Sequence, residues 1–430
     1  MKIRNATLVL AIIAALGSPY ALSAGFQLSE HSAAGLGRAN AGEAVIADSA
    51  AVLANNAAAL TRFDSTNISV SAAYLVPKVR VTGNGPDQGV NNQLTNNNVV
   101  DNVIVPGLYI ASPINDTVFW GIGVFTDFGL ATKYPDDYLA GSIGGETRLE
   151  TVNINPNLAF KLNEQFSAGV GVSAVYGKAK LTRTLGILAD AMNADLGTDV
   201  FSRTDTAKSL DGQGWGYGFN AGLLWEINPS HRFGLSYRSK VDIDMSGDFS
   251  SDVPSTIVQP GQTVSGELTL NLPSIAEFSG YHQITEPFAL HYSVVMTGWN
   301  VFKEIRATVD GQEVLQKDEN FEDSFKYALG GTYFLSPNIT LRAGVAYDQT
   351  PNVNNVSISL PDSDRLNYSV GASYRFNDSS SIDFGFTFVD AKEGTFTEPL
   401  EDGDGNTIVD VPFRSEGDVY IYALQYNHSF

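Results

Sequence analysis

Tyr420-Ile-Tyr422-Ala-Leu424-Gln-Tyr426-Asn-His428-Ser-Phe430 closes the chain with a large, mostly aromatic side chain at every even position and a mostly small or polar one at every odd position. A strand sends successive side chains to opposite faces, so this segment has one apolar face and one wetter face. Its last residue is aromatic. A terminal aromatic strand of this kind resembles the signal by which outer-membrane barrels are recognised for assembly.

The same period runs upstream. Ile382, Phe384, Phe386 and Phe388 alternate with Asp383, Gly385 and Thr387, and Trp215, Tyr217, Phe219, Ala221, Leu223 and Trp225 alternate with Gly216, Gly218, Asn220 and Gly222. Alternation sustained over about ten residues is what a lipid-facing barrel strand needs. Fourteen such segments can be drawn: 66–82, 102–112, 117–128, 147–162, 165–182, 212–227, 231–248, 263–284, 288–303, 323–335, 338–348, 366–376, 380–391 and 416–430. Short turns rich in Asn, Pro, Ser and Asp alternate with long connections at 83–101, 129–146, 183–211, 249–262, 304–322, 349–365 and 392–415. Short turns on one side and long loops on the other, with an even strand count, describe a bacterial outer-membrane barrel. The expected fold is therefore all-β, a 14-stranded antiparallel transmembrane β-barrel. A soluble β-sandwich also alternates, but its loops do not sort into short and long sets.

The leading end reads as a signal peptide over residues 1–23. Lys2 and Arg4 precede an apolar run from Ala6 to Leu16, and Ala21 and Ser23 put small side chains at the spacing a signal peptidase requires. Eleven apolar residues are too few to span a bilayer as a helix, which takes about 20. Without Lys2 and Arg4 there remain 24 bases against 47 acids, a formal charge of −23. Nucleic acid is an unsuitable partner for that balance, since its binding relies on basic contacts to phosphate. With no cysteine in the chain, disulfides and thiolate-held metals are excluded, and no cofactor is called for. Residues 24–65, rich in alanine and glycine and lacking a period of two, fit a compact plug inside the barrel formed by 66–430. Fourteen strands enclose more space than the eight that side chains alone fill.

The run Ala24-Gly-Phe-Gln-Leu-Ser-Glu-His-Ser-Ala-Ala-Gly-Leu-Gly-Arg-Ala-Asn-Ala-Gly-Glu, followed by Ile46-Ala-Asp48, closely resembles the hatch of the long-chain fatty acid outer-membrane transporter family, the FadL-like proteins, which include aromatic-hydrocarbon transporters. The resemblance continues through Gly129-Leu-Ala-Thr132, Gly141-Ser-Ile-Gly-Gly145, Leu268-Thr-Leu-Asn-Leu-Pro273 and Ser357-Ile-Ser-Leu-Pro-Asp362, and so spans nearly the whole mature chain. It implies a monomer embedded among outer-membrane lipids of a Gram-negative cell, with a hatch in the lumen. The family's Asn-Pro-Ala in the hatch is here Asn56-Ala57-Ala58, which loses a residue that fixes a backbone angle.

The resemblance also implies a transport path for a long-chain fatty acid. Leu185, Leu188, Met192 and Leu196 recur at helical spacing and read as a short amphipathic helix that, with Phe249, Val253, Ile257 and Val258, offers an exposed apolar capture surface. Arg183 and Lys317 match the two basic residues that hold the headgroup, as an entering carboxylate requires in a low dielectric. Phe26 would line the same pocket. Gly121, Gly123 and Gly129 suit either a bend in the third strand, through which substrate leaves sideways, or close contact with the hatch. Glu277, Arg342, Asp348, Arg375 and Asp383 fall on the lumen parity and read as pairs holding plug to wall.

Two alternatives stand beside this reading: transport of aromatic hydrocarbons or other hydrophobes, and an outer-membrane lipid-modifying enzyme. The enzyme would need an activated serine, and no Gly-x-Ser-x-Gly occurs. Gly35-Leu-Gly37-Arg-Ala-Asn40 lacks the last glycine of a nucleotide loop. Asp402-Gly-Asp404-Gly-Asn406 lacks the glycine and terminal acid of a calcium loop.

Overall fold

The computed structural model describes residues 25–254, 257–353, 355–402 and 406–430. The expected signal peptide, residues 1–23, lies outside the described residues, as do Ala24 and Asp404. One continuous sheet is built from β1 (Asn67–Gly83), β2 (Val103–Pro113), β3 (Val118–Phe125), β4 (Gly129–Lys133), β5 (Glu146–Lys161), β6 (Phe166–Thr184), β7 (Thr206–Asn228), β8 (His231–Arg238), β9 (Val241–Ser250) and β10 (Thr263–Leu272). It continues through β11 (Ser274–Thr285), β12 (Phe288–Gly298), β13 (Glu304–Val309), β14 (Gln312–Asp318), β15 (Ser324–Phe334), β16 (Ile339–Asp348), β17 (Arg365–Asn377), β18 (Ser380–Glu401) and β19 (Thr407–Ser429). β1 pairs antiparallel with β19 from Asn67↔Ser429 to Gly83↔Phe413, which closes the cylinder.

Fourteen antiparallel crossings result. Three of them are split in two: β3 with β4, β8 with β9, and β10 with β11. β13 and β14 instead form a hairpin in the connection expected to be a plain loop. Pro273, which has no N–H to donate, separates β10 from β11. The 392–415 segment, read from sequence as a loop, is mostly strand: β18 and β19 stay paired out to Glu401↔Thr407. Its glutamates and threonines carry no apolar alternation because this part of the wall stands in water rather than lipid.

The expected lipid face is exposed. Tyr217 is 74% exposed, and Trp215, Phe219, Leu223, Trp225, Tyr368, Val370, Leu424 and Tyr426 are also open. Inside, residues 25–63 form α1 (Ala33–Leu36) and two 3-10 turns, Ala50–Ala54 and Ala57–Arg62, nearly all buried. They touch inward-facing groups all round the wall. Ala33 N–H donates to Gln425 of β19, Gly42 N–H to Ser293 of β12 and Ala50 N–H to Ser69 of β1, while Arg238 of β8 donates to the Ala54 carbonyl. Wall glycines admit this approach. A Cβ on Gly371 would stand 2.8 Å from Gly37 Cα, and one on Gly330 would stand 2.7 Å from the Arg38 carbonyl. Arg38, 1% exposed, pairs with Glu43 at 2.7 Å and Asp48 at 2.8 Å, and Asp48 also meets Arg342 at 3.3 Å. Of the lumen-parity residues, Arg375 is exposed on the rim and takes no part in this packing.

Candidate functional site

The first described residues of the chain thread into an aromatic nest. Phe26, 1% exposed, lies edge-on to Trp299, Phe302 and Phe128 at centroid distances of 4.6, 5.2 and 6.1 Å. Such edge-to-face pairs each contribute about 0.5–1.5 kcal/mol beyond area burial. Gly25 N–H is held by Asp362 at 2.8 Å, and its positive φ of 65° suits glycine, whose missing Cβ leaves room for Trp299.

Phe26 also borders an apolar cavity enclosing about 780 Å³ of empty space, part of it open to solvent. Leu130, Leu149, Leu181, Leu210, Met245, Leu270, Phe302 and Leu360 give it a mostly apolar surface, although Arg148, Lys180, Asp211, Asp248, Glu267 and Glu304 also border it. Arg183 and Lys317 do not border the cavity; they stand immediately behind it and are brought to one place by the Ser357–Leu360 turn. Arg183 is buried and donates to Thr147 Oγ1 (3.0 Å) and Ser359 Oγ (2.9 Å), and to the Thr182 and Glu146 carbonyls. Thr147 and Leu360 are themselves cavity-lining. Lys317, on β14 two residues after the cavity-lining Leu315, donates to Ser357 Oγ at 2.7 Å. It has Glu398 at 3.4 Å and Glu319 at 3.8 Å. Burial pushes the Glu319 carboxyl up to about 7 despite the opposing pull of Lys317.

The expected helix forms as α3 (Ile187–Leu196), after α2 (Gln88–Leu94) in an earlier loop. Leu185 precedes α3 and is 3% exposed, whereas Leu188 and Met192 are half-buried on it. The exposed apolar residues here are Ile187, Leu196 and Val200. Phe249, Val258 and Ile257 cluster instead with the β13–β14 hairpin through Val309 and Val314.

The third crossing breaks at Thr126–Phe128. The ladder between β2 and β3 ends at Leu108↔Val124, and β4 pairs with β5 alone, so Val103–Gly107 have no ladder partner on that side among the described residues. The N-terminal segment covers the break: Leu28 N–H donates to the Asp127 carbonyl (2.7 Å), and Gly129 N–H donates to the Phe26 carbonyl (2.9 Å). His31 meets the Asp127 carboxylate at 3.2 Å, Asn153 donates to it at 2.9 Å, and Arg238 stands 3.8 Å off. Gly129 therefore borders the break. Gly121 and Gly123 do not: they lie in regular strand, and their missing Cβ atoms make room for Leu53 and Leu60. Asn56 caps the second 3-10 turn, accepting from Ala58 N–H at 2.9 Å and donating to the Ala44 and Leu223 carbonyls, so Ala57 stands at its first position.

Comparison with known proteins decides the family. Residues 14–430 match the model of the outer membrane protein transport proteins (OMPP1/FadL/TodX). The chain belongs to this family. Among its members, the long-chain fatty acid transport protein of Escherichia coli O6:H1 is 39% identical over 98% of both chains, and outer membrane protein P1 of Haemophilus influenzae is 35% identical over the full length of both. In fold, the chain matches a Pseudomonas aeruginosa FadL homologue with a TM-score of 0.84 at 23% identity, covering 95% of this chain and 100% of that one. The Pseudomonas putida toluene transporter TodX matches at 0.68 with 15% identity, covering 95% and 100%. The OMPP1/FadL/TodX proteins are transporters of the Gram-negative outer membrane, which removes the lipid-modifying enzyme from the alternatives.

Sequence reasoning missed His31, Arg238, Trp299, Glu319 and Glu398. Asp127 did carry a signal, as a charge interrupting the apolar parity of the third strand.

Proposed function

We propose that this protein takes up long-chain fatty acids, as its Escherichia coli relative's name says of that protein. The observation that carries the reading is an apolar cavity stoppered by Phe26 and backed by two cations, the buried Arg183 and the half-buried Lys317. At about 0.8 kcal/mol per methylene, a 16-carbon tail prefers an apolar site over water by roughly 12 kcal/mol, so the path must offer such surface and then withdraw it. The exposed Ile187, Leu196 and Val200 near α3, with Leu188 and Met192 beneath, make first contact. The tail then enters the cavity while the carboxylate approaches Arg183 and Lys317.

Residues 24–65 act as the plug, exported behind a leader of residues 1–23, in a barrel working as a monomer. Release follows from the hydrogen bonds at the break: a ligand that displaces Phe26 takes the Phe26–Gly129 and Leu28–Asp127 bonds with it and bares the unpaired edge beside β4. The substrate leaves there, into the lipid. A second reading, uptake of neutral hydrophobes, is favoured by the position of both cations behind the cavity wall rather than on it.

The test is uptake of labelled oleate and of a neutral hydrocarbon by a transporter-deficient strain expressing this chain or its Arg183→Ala, Lys317→Ala double variant. Loss of oleate uptake alone supports the fatty acid reading. Unchanged oleate uptake in the variant removes both cations from the account.

A further inference from the structure

Glu319 is a buried carboxyl that neither the fold nor the transport path described above uses. Its side chain is fully inaccessible, and neither carboxyl oxygen has a hydrogen-bond partner among the described residues. Its nearest cation, Lys317, stands 3.8 Å away and is already engaged by Ser357 and Glu398. Glu398 is satisfied in turn, accepting from Ile358 N–H at 2.9 Å. Leaving a buried ionised carboxylate without a donor costs far more than leaving a neutral one so placed.

Arg183 has the complementary deficit. Its hydrogen bonds run to hydroxyls and carbonyls, not to a carboxylate. The charged groups facing Glu319 are Lys317 and Asp318 from its own hairpin, Arg183 from the end of β6, and Glu398 from β18; Tyr134 faces Arg183 and Glu398. With Arg183, Lys317, Glu319 and Glu398 all ionised, and the solvent-exposed Asp318 left aside, these four groups sum to zero charge. A ligand carboxylate would then bring an unbalanced negative charge among them.

We propose that Glu319 is the proton partner of the headgroup site: the cluster accepts a long-chain anion together with one proton, which Glu319 holds while the site is loaded. This rests on the transport reading above and adds a coupling to it. The carboxyl's position near neutrality in the empty site, set by burial, makes the coupling operate in the ordinary range, and the added anion raises it further. One proton taken up on binding means that affinity falls about tenfold for each pH unit above the empty-site value.

The experiment is equilibrium binding by the purified full chain in detergent between pH 6 and 9. The ligands are a long-chain alkyl sulfonate, which stays charged throughout, and the alcohol of the same chain length. The expected result is sulfonate binding that weakens about tenfold per unit at the alkaline end, and alcohol binding that stays level. In Glu319→Gln, which keeps the shape and a donor but cannot titrate, the sulfonate profile flattens. Level sulfonate binding in the parent, or the parental slope persisting in Glu319→Gln, overturns the proposal and leaves the transport reading intact. Failure of both ligands to bind at any pH overturns the transport reading, and this coupling with it.

Discussion

Replacing Gly330 and Gly371 by valine should unseat the N-terminal segment and open the barrel. A Cβ at these positions would stand 2.7 Å from the Arg38 carbonyl oxygen and 2.8 Å from Gly37 Cα. Carbon contacts are at their optimum at about 3.5–4.0 Å, so the segment must retreat by about 1 Å even before valine's methyls are counted. Overpacking costs about 1–3 kcal/mol per site, and because both sites press on neighbouring residues the combined effect is about 2–6 kcal/mol without strict additivity. At about 1.4 kcal/mol per factor of ten, the seated population falls relative to the unseated one by a factor between about 30 and 10⁴. The assay is single-channel conductance in planar bilayers, with heat-modifiable gel mobility confirming a folded barrel and Val345→Ala on the lipid face as control. A folded double variant that conducts no more ions than the parent would refute the account of how the plug is seated.

Further outcomes can be checked directly. Phe26→Ala removes the centre of the aromatic nest at a cost of about 3–5 kcal/mol, so exchange of the Leu28 and Gly129 amide hydrogens should accelerate at least a hundredfold. Ala57→Pro restores the residue expected in the hatch at the first position of a 3-10 turn, where proline's fixed angle fits, and should raise thermal stability by about 0.4–1 kcal/mol in detergent melts. Asp364 is held below the usual carboxylate range: burial raises it, but Lys392 and Tyr347 at 2.8 Å and the Thr350 amide at 3.1 Å outweigh that. A carboxyl depressed in the folded state stabilises fully above its unfolded value of about 3.9 and loses that contribution as pH falls through the folded value. Protease sensitivity of the 349–364 loop should therefore rise below about pH 4, and in Asp364→Asn at neutral pH.

What could be read in advance depended on which solvent a residue faces. At Trp215–Trp225 one face meets lipid and the other the packed interior, and that contrast writes a clean period of two. Above the apolar stretch the outward side chains of β18 are Glu393, Thr395, Thr397, Pro399 and Glu401 while Glu398 and Leu400 face inward, so no apolar outer face marks the strand and 392–415 reads as loop although it is paired strand. Glycine is equally ambiguous in sequence: Gly129 borders the break, while Gly121 and Gly123 make space for leucines. Arg183 and Lys317 were reachable only through resemblance, since a cation behind a cavity wall looks like any loop cation. Glu319 left no mark at all, because two of its charged neighbours, Arg183 of β6 and Glu398 of β18, lie far from it in sequence.

The lengths of β7 and β19 have a consequence for the cell surface. Each has 23 residues, about 75 Å at roughly 3.3 Å per residue, or about 55 Å of height at a tilt of about 40–45°. The apolar band of such a barrel is only about 25 Å tall. At these two strands the wall therefore stands about 30 Å taller than the lipid band, and it needs no disulfide to stay upright because β19 remains laddered to β18 out to Glu401↔Thr407. Any antibody or phage that approaches from outside meets this stiff, charged parapet first.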